Sequence, residues 1–378
     1  MNIICFSHLR WNFVYQRPQH LFTRFAKHYT VYFFEEPLFH QKEDCLAIAL
    51  ANDNIFVVTP FLNDAEDCKN FAERQAALLN KLFLEQQIEE YICWYYSSMA
   101  LLFSNHLKPS LIVYDCMDEL SAFKFAPAEL KVTEQKLFYK ADVVFTGGYS
   151  LYYAKKDLHK NIYPFPSSIE KEHFAKARII NEAPPDQKNI PHPRLGFFGV
   201  IDERFDIELI RQSAERRPEW NFVLIGPVIK ISEDVLPKGK NIFYLNSKSY
   251  TELPNYISGW DIALIPFAIN ESTKFISPTK TPEYLAAGKP VISTPIADVV
   301  NPYGEKELVS IVNSADEFIK SAEKILNQKN KESWLKKVDE FLSDNSWDNT
   351  FQRMNSIIKK TLASKKNTIT KKGEKIYV

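Results

Sequence analysis

Glycine is scarce in this chain, and its first part has none. There are 10 glycines among 378 residues, whereas ordinary proteins contain about 7% glycine. The first is Gly147, so no glycine-rich phosphate loop precedes it. No G-x-G-x-x-G occurs, and the pair Gly288-Lys289 has Glu283 where a P-loop needs its leading glycine. These absences argue against an ordinary dinucleotide-binding dehydrogenase and against a P-loop ATPase.

Signatures of other enzyme classes are missing as well. The chain has no Asp-x-Asp, no H-E-x-x-H, no Cys/His cluster and no G-x-S-x-G. We therefore expect no metal site and no serine nucleophile of the hydrolase type. The five cysteines form no C-x-x-C, which is typical of reduced thiols in a cytoplasmic protein. They are Cys5, Cys45, Cys68, Cys93 and Cys116.

Charge is balanced along most of the chain. Lys+Arg and Asp+Glu both total 47, so no overall field favours nucleic acid. No apolar run approaches the ~18 residues of a membrane span, and the N-terminus lacks a signal peptide's apolar region. Only the last part is one-sided, with Glu374 among many lysines. We interpret it as a solvated tail, and the alternative is loose attraction to anionic lipid headgroups. Its lysines are Lys359, Lys360, Lys365, Lys366, Lys371, Lys372 and Lys375.

Short apolar runs alternate with longer amphipathic stretches, which predicts two α/β domains whose parallel sheets are covered on both faces. Residues 1–174 form the first predicted domain. Its strands are predicted at 3–6, 31–35, 55–59, 91–95, 111–115 and 143–146, and its helices at 18–28, 70–89 and 128–140.

The alternation stops at residues 175–193, which hold four prolines between 184 and 193 and read as a linker. A second domain follows at 194–344. A last helix at 345–362 is expected to pack back toward the first domain, and a basic tail at 363–378 ends the chain. The strands of this second domain are predicted at 195–200, 222–225, 242–245, 262–266, 290–293 and 308–312. Ligands bind such sheets at the carboxyl ends of the strands, so we expect a site in the cleft between two doubly wound domains.

The segment 266–294, PFAINESTKFISPTKTPEYLAAGKPVIST, is the most informative one. A buried strand runs into a polar loop and then into a helix that begins near Lys280. A helix start offers unpaired N–H groups to an anion, and Ser277 and Thr279 add donors. Glu283, one turn in, could accept both hydroxyls of a ribose. The alternative is that Glu283 only complements the helix dipole.

This segment resembles the pattern P-F-x-x-N-E-x-T…P-x-K-x-x-E-Y-L-A-A-G-K-P-V of GT-B glycosyltransferases, in particular the GT4-like group of teichuronic acid and other surface-polysaccharide transferases. The resemblance implies that Glu283 holds the donor ribose and that the preceding loop, with Asn270, holds the diphosphate. Many relatives carry a second Glu where this chain has Phe275. The matched residues are Pro266, Phe267, Asn270, Glu271, Thr273, Pro278, Lys280, Glu283, Tyr284, Leu285, Ala286, Ala287, Gly288, Lys289, Pro290 and Val291.

Two further stretches fit this group. Residues 195–210 resemble the opening strand and loop of its donor domain, where Gly199 allows close approach to a phosphate. Arg204 either meets the diphosphate or pairs with an acid beside it, Asp202 or Asp206. Residues 10–26 resemble its first acceptor-side loop and helix.

In that first loop, Gln16 and Arg17 could touch a ligand. The alternative for Arg17 is an ion pair with residues 35–36. Trp94, directly before two tyrosines, could stack on a sugar, although such aromatics more often belong to the core.

Asp115 and Asp118 follow a predicted strand of the first domain. Two acids at the carboxyl end of a strand are suited to acceptor contact or base catalysis. The alternative is that Asp118 caps the turn that follows.

The sequence therefore predicts a GT-B glycosyltransferase that moves a sugar from a nucleotide-diphosphate sugar, by family frequency a UDP-sugar, to a glycan or lipid-linked acceptor. The resemblance implies retention of configuration and a role in bacterial surface-polysaccharide synthesis. No cofactor, metal or nucleic acid is expected. We expect a cytoplasmic enzyme, with weak contact to the inner membrane face through its lysine-rich end as the alternative. The rival functions are a GT-B nucleotide-sugar epimerase and a non-catalytic nucleotide-sugar binder.

Overall fold

The computed structural model describes residues 1–64 and 70–374. They form two compact units. Unit 1 contains Met1–Gly147, Leu151–Phe165 and the segment from Asp348 onward, and unit 2 contains Gly148–Ser150 and Pro166–Trp347. Cys68 and residues 375–378 of the predicted tail lie outside the described residues.

Unit 1 is built on a nine-stranded sheet in the order β3-β5-β2-β1-β6-β7-β8-β9, with β4 on β5. All pairs are parallel except β4–β5. The inner strands are apolar and buried on both faces, as expected when helices cover a parallel sheet. The strands are β1 (Asn2–Phe6), β2 (Thr30–Phe34), β3 (Leu38–His40), β4 (Cys45–Asn52), β5 (Ile55–Asn63), β6 (Tyr91–Tyr95), β7 (Leu111–Cys116), β8 (Val143–Thr146) and β9 (Ile162–Pro164).

Helices connect these strands. Helix α1 begins after Gln16, whose backbone N–H donates to the Gln19 side chain at 3.1 Å, and it carries proline in its first turn. The helices up to the end of the first sheet are α1 (Arg17–Phe25), α2 (Phe71–Glu85), α3 (Leu101–Ser104), α4 (Glu129–Lys140) and α5 (Tyr149–Lys155).

Unit 2 holds a six-stranded, fully parallel sheet in the order β12-β11-β10-β13-β14-β15. The strands are β10 (Arg194–Phe198), β11 (Asn221–Ile225), β12 (Ile242–Tyr244), β13 (Ile262–Ile265), β14 (Val291–Ser293) and β15 (Val309–Ile311). The helices are α6 (Lys171–Ala175), α7 (Ile207–Arg216), α8 (Leu253–Ser258), α9 (Lys280–Ala286), α10 (Ala297–Val299), α11 (Ala315–Asn327) and α12 (Glu332–Phe341).

The twelve strands predicted from the sequence are confirmed, and three others were not foreseen. β3 and β9 have three residues each, and β9 contains Pro164, so neither shows a strand pattern. The residues of β4 are mostly exposed or half-buried, so it lacks the apolar run that marked the other strands. Short or exposed strands leave little signal because their side chains pack on few neighbours.

The prediction of a linker at residues 175–193 is wrong. This segment belongs to unit 2, where the Gln187 side chain is fully buried. Its Nε2 donates to the Tyr256 carbonyl at 2.9 Å, and its Oε1 accepts from Trp260 Nε1 at 2.9 Å. Prolines disfavour helix interiors and central strands, but they do not prevent a segment from packing. The boundary between the units therefore lies near residue 165 rather than at 174.

The last helix, α13 (Trp347–Glu374), begins where the sequence predicted and extends twelve residues beyond the predicted end at 362. From Asp348 onward it belongs to unit 1, where Phe351 packs edge-on against Phe25 with ring centroids 4.9 Å apart. Tyr29 also donates to Asn355 at 3.1 Å. Most of the predicted tail is therefore helical. Among the described helices, none is both long enough and apolar enough to cross a membrane.

Candidate active site

The strand order of unit 2 reverses between β10 and β13. In doubly wound sheets, ligands bind at the carboxyl ends of the strands at such a point. Gly199 directly follows β10, and the loop after β13 leads into α9. Tyr284 of α9 accepts a hydrogen bond from the Phe198 backbone N–H at 3.0 Å, which holds the helix start against the end of β10. The fold thereby brings Gly199, Lys280 and Glu283 together.

The Lys280 ammonium lies among three phenyl rings. Its Nζ is 5.6, 5.8 and 5.7 Å from the ring centroids of Phe197, Phe198 and Phe267. Such rings attract a cation through their negative faces. Gly199 has φ +140°, and a Cβ built on it would lie 2.4 Å from Lys280 Cε. Glycine is therefore required here for the lysine to take this position.

Glu283 lies one helical turn after Lys280 and is buried. Burial raises the pKa of its carboxyl, and Lys280 and Thr279 offset this in part. Burial likewise lowers the pKa of Lys280, with Glu283 opposing the shift and Arg204 adding to it. Oε2 of Glu283 is buried and has no hydrogen-bond partner within the protein. A buried acceptor without a donor is costly, so this atom is suited to receive a hydroxyl from a ligand.

Arg204 and Asn270 lie on two loops that pack together. The Ala268 backbone N–H donates to the Arg204 carbonyl at 2.7 Å. Arg204 pairs with Asp202 at 2.6 Å, which settles its pairing in favour of that acid, while Asp206 caps α7 through the Leu209 N–H at 2.9 Å. The loop of Arg204 therefore sits beside the site with its cation already matched.

The polar residues of the second loop serve mainly that loop. Asn270 Oδ1 accepts from the backbone N–H groups of Ser272 and Thr273 at 3.0 and 3.2 Å. Ser277 is half-buried and accepts the Ser167 hydroxyl on its carbonyl at 3.0 Å. Thr279 stands at the N-cap of α9 without a capping side-chain bond. The structure thus places Ser277 and Thr279 before the helix start and uses Asn270 to shape the turn.

In unit 1, Arg17 and Asp115 form one buried ion pair at the carboxyl end of β7. Arg17 Nη2 is 2.8 Å from Asp115 Oδ1, and its Nη1 donates to the Phe165 carbonyl at 2.7 Å. The alternative pairing of Arg17 with residues 35–36 is wrong, because Glu35 forms its ion pair with Arg10, at 2.9 Å. The prediction that Asp115 contacts the acceptor or acts as a catalytic base is corrected too, since its side chain is fully buried against Arg17. Burial raises the pKa of Asp115 even beside this cation.

Asp118 is half-buried in the loop that follows β7. Glu119 beside it pairs with Lys155 at 2.8 Å, and Lys155 also reaches Glu134 of α4 at 2.8 Å. This buried lysine holds the loop of Asp118 against α4 and α5. Gln16 is half-buried at the start of α1, where it takes part in the helix cap.

The prediction of Trp94 as a sugar-stacking residue is wrong. β6 lies in the interior of the sheet, and Trp94 and both following tyrosines are buried. The Trp94 ring packs edge-on against Phe22 and Phe25, at 5.3 and 5.2 Å between centroids. No face of the ring is left for a ligand.

Two features of unit 2 were missed by sequence reasoning. The first is the set of three phenyl rings around Lys280, of which Phe197 and Phe198 directly precede Gly199. The second is Glu203, whose two carboxylate oxygens are buried without a hydrogen-bond partner. The paired phenylalanines before a loop glycine were the available signal for the rings, whereas Glu203 gave none.

Comparison with known proteins finds similarity to glycosyltransferases. Residues 193–328 match the family described as "Glycosyl transferases group 1". TuaH of Bacillus subtilis (strain 168), assigned by name to teichuronic acid biosynthesis as a glycosyltransferase, is 24% identical over 310 residues, which are 75% of this chain and 76% of that protein.

Solved structures share the fold along nearly the whole chain. Sucrose-phosphate synthase from Thermosynechococcus elongatus has a TM-score of 0.73 at 14% identity, covering 96% of this chain and 99% of that one. A trehalose-6-phosphate structure from E. coli, bound with UDP-2-fluoro glucose, has a TM-score of 0.69 at 14% identity with the same coverage. The catalytic domain of starch synthase IV from Arabidopsis thaliana, bound to ADP and acarbose, has a TM-score of 0.62 at 10% identity, covering 96% and 99%. The chain is therefore a glycosyltransferase with a GT-B fold that resembles the GT4-like group, and residues 193–328 of its second unit match the group 1 glycosyltransferases.

Proposed function

We propose that this enzyme transfers a sugar from a nucleotide-diphosphate sugar, with UDP as the nucleotide, to a glycan or lipid-linked acceptor in bacterial surface-polysaccharide synthesis. Unit 2 binds the donor and unit 1 binds the acceptor. Transfer needs no metal and retains the anomeric configuration. The reaction takes place in the cytoplasm.

The unpartnered Oε2 of Glu283 is the observation that carries the donor assignment. A buried carboxylate oxygen without a donor is stabilised when a ligand hydroxyl bonds to it. A ribose offers two neighbouring hydroxyls, which match the two oxygens of one carboxylate. The raised pKa of Glu283 has the same cause, because burial penalises its charge until a donor arrives.

Lys280 is positioned to meet the diphosphate. It lies one helical turn before Glu283, and the rings of Phe197, Phe198 and Phe267 hold its ammonium away from bulk water. A cation in such surroundings interacts with phosphate more strongly than an exposed lysine does. During transfer, negative charge builds up on the departing nucleotide, and a fixed cation lowers the free energy of that state. Lys280 thereby supplies the charge that a metal ion supplies elsewhere.

The names of similar proteins support a nucleoside diphosphate. One fold neighbour is bound with UDP-2-fluoro glucose and another with ADP and acarbose. The sequence relative from Bacillus subtilis is assigned to teichuronic acid biosynthesis, which supports a surface-polysaccharide role. The first of these neighbours and the family resemblance support UDP as the nucleotide.

On the acceptor side, Asp118 lies half-buried in the loop after β7, at the carboxyl end of the sheet where such folds bind ligands, which supports its contact with a sugar hydroxyl. The neighbouring acids are already in ion pairs, Asp115 with Arg17 and Glu119 with Lys155. Asp118→Asn should therefore keep donor affinity and lose transfer. Transfer at the wild-type rate in this variant would remove Asp118 from the mechanism.

Isothermal titration of UDP into wild type and Glu283→Gln tests the donor site. Glutamine keeps the shape but loses the charge, so a bond of about 1.5–3 kcal/mol is lost and affinity should fall about 10- to 100-fold. The matched control is Glu215→Gln, the same change at an exposed position on α7 of the same unit, and it should bind as wild type does. Equal affinity for both variants would refute the placement of the ribose.

A product assay separates transfer from the rival functions. With donor and a glycan acceptor, the proposed enzyme forms a new glycosidic bond and releases UDP. An epimerase would convert the donor alone, without acceptor. A non-catalytic binder would bind UDP and turn over nothing.

A further inference from the structure

Helices α4 and α5 cover the same face of the sheet in unit 1. They connect β7 to β8 and β8 to β9, successive steps in one direction, and right-handed crossovers place both on one side. They also touch, because Lys155 of α5 reaches Glu134 of α4 at 2.8 Å and His159 contacts the Ala141 carbonyl at 3.0 Å. Their outer sides therefore form one continuous surface.

That surface exposes apolar and aromatic side chains at helical spacing. On α4, Leu130, Thr133 and Leu137 point inward, so Val132 and Tyr139 project from the opposite side. Tyr139 is 92% exposed, and the ring of Tyr153 is exposed on the neighbouring helix. The exposed apolar and aromatic residues of the surface are Val132, Tyr139, Tyr153, Leu158 and Tyr163.

Lysines surround these side chains. On α4 and at residues 153–163, five exposed lysines stand against two exposed acids, Glu129 and Asp157. One of the lysines, Lys156, lies 5.8 Å from the ring of Tyr153. The exposed lysines are Lys131, Lys136, Lys140, Lys156 and Lys160. We call this surface, α4 together with residues 153–163, the basic-aromatic face.

Helix α13 brings further lysines to the edge of this face. Lys365 bonds to Asp142 at 2.7 Å, and Asp142 lies between the end of α4 and the start of β8. Lys359 and Lys360 are exposed on the same helix. Lys365 therefore holds this part of α13 next to the basic-aromatic face.

We propose that the basic-aromatic face of unit 1 docks onto an anionic phospholipid surface. Lysine stems lie along an apolar boundary while their ammonium groups reach the headgroups, and tyrosine prefers the same interface. Val132 and Leu158 favour a bilayer over a nucleic acid, because a phosphate backbone has no apolar layer to receive them. The proposal is independent of the donor site, since every residue involved lies in unit 1.

Vesicle co-sedimentation without nucleotide tests the proposal. Vesicles with about one third phosphatidylglycerol in phosphatidylcholine should bind the protein, and pure phosphatidylcholine vesicles should not. Each cation near the surface contributes roughly 1 kcal/mol, so replacing three lysines by Gln at positions 136, 140 and 160 should weaken partitioning on the order of 100-fold. UDP affinity of this variant, measured without vesicles, should stay unchanged.

In the matched control, three exposed lysines of unit 2 are each replaced by Gln. They are Lys240, Lys320 and Lys329. It removes the same charge and should keep vesicle binding within about twofold. A second variant, Tyr139→Ser with Tyr153→Ser, should lose binding while keeping all lysines. Equal loss in the unit 2 control, equal binding to neutral vesicles, or no binding to anionic vesicles would overturn the proposal. Binding to a single-stranded oligonucleotide in place of vesicles would assign the face to nucleic acid instead.

Discussion

Gly199→Ala should damage the donor site by displacing Lys280. The added Cβ would lie 2.4 Å from Lys280 Cε and 2.8 Å from its Nζ. Non-bonded carbon atoms are comfortable at about 3.5–4.0 Å, so one partner must move by roughly 1 Å. The flexible lysine is the easier one to move, and it would leave its position between Phe197 and Phe198.

Two costs follow from this substitution. An L side chain at φ +140° strains the backbone by on the order of 1–3 kcal/mol. For a protein of this size the melting temperature should fall by a few degrees. Loss of a charged hydrogen bond to the diphosphate, about 1.5–3 kcal/mol, should weaken UDP binding about 10- to 100-fold.

Gly288→Ala is the matched control because it shares the strain without the collision. Gly288 has φ +72°, and an added Cβ would meet Arg178 side-chain atoms at 3.3 Å or more. Differential scanning fluorimetry should show a loss of stability in both variants, whereas calorimetry should show weaker UDP binding in Gly199→Ala alone. If Gly199→Ala bound UDP as tightly as Gly288→Ala, the contact between Lys280 and the diphosphate would be refuted.

Two further predictions concern charged groups. Asp115→Asn leaves Arg17 buried without its counter-ion and should lower the free energy of unfolding, measured with urea, by about 3–5 kcal/mol. Adding Arg17→Met should recover much of that loss. A loss below about 1 kcal/mol in Asp115→Asn would contradict the buried pair. For UDP binding, the lowered pKa of Lys280 means that its charge is lost as pH rises, well before the ordinary lysine value of about 10.4. The affinity for UDP should therefore decline as the pH rises past the pKa of Lys280, about 8. The Lys280→Arg variant should keep its affinity to higher pH. The same decline in wild type and in this variant would assign the alkaline loss to another group.

The grouping of Lys280 and Glu283 in the proposed donor site could be anticipated because its signals are local. Lys280 and Glu283 are three residues apart, so a helix places them on one side whatever surrounds it. The carboxyl end of β13 and the start of α9 follow from one short stretch of sequence. What the sequence did not show is the role of Gly199, where the space left by the missing side chain holds the lysine itself.

The contacts of the proposed acceptor side, unit 1, were harder to anticipate because the residues that meet there are distant in sequence. Arg17 and Asp115 are 98 residues apart, and the sequence around neither residue indicates which residue it pairs with. The burial of Trp94 depends on β6 lying between β1 and β7, which is a matter of strand order. An apolar strand followed by aromatic residues has the same sequence pattern at the centre of a sheet and at its edge, so the pattern does not predict whether the aromatic residues are buried.

Proline-rich segments show a further limit of the sequence. The prolines around residue 190 correctly excluded regular structure, yet Gln187 and Ile190 are buried in unit 2. Whether such a segment packs depends on which surface lies beside it. Only the folded chain shows that Trp260 and Tyr256 provide that surface.

The most direct test compares UDP with uridine in calorimetric titrations of wild type, Lys280→Met and Glu283→Gln. If Lys280 holds the diphosphate and Glu283 the ribose, Lys280→Met should weaken UDP binding about 10- to 100-fold and leave uridine unchanged. Glu283→Gln should weaken both ligands. Wild-type affinity for UDP in both variants would contradict the donor site described here.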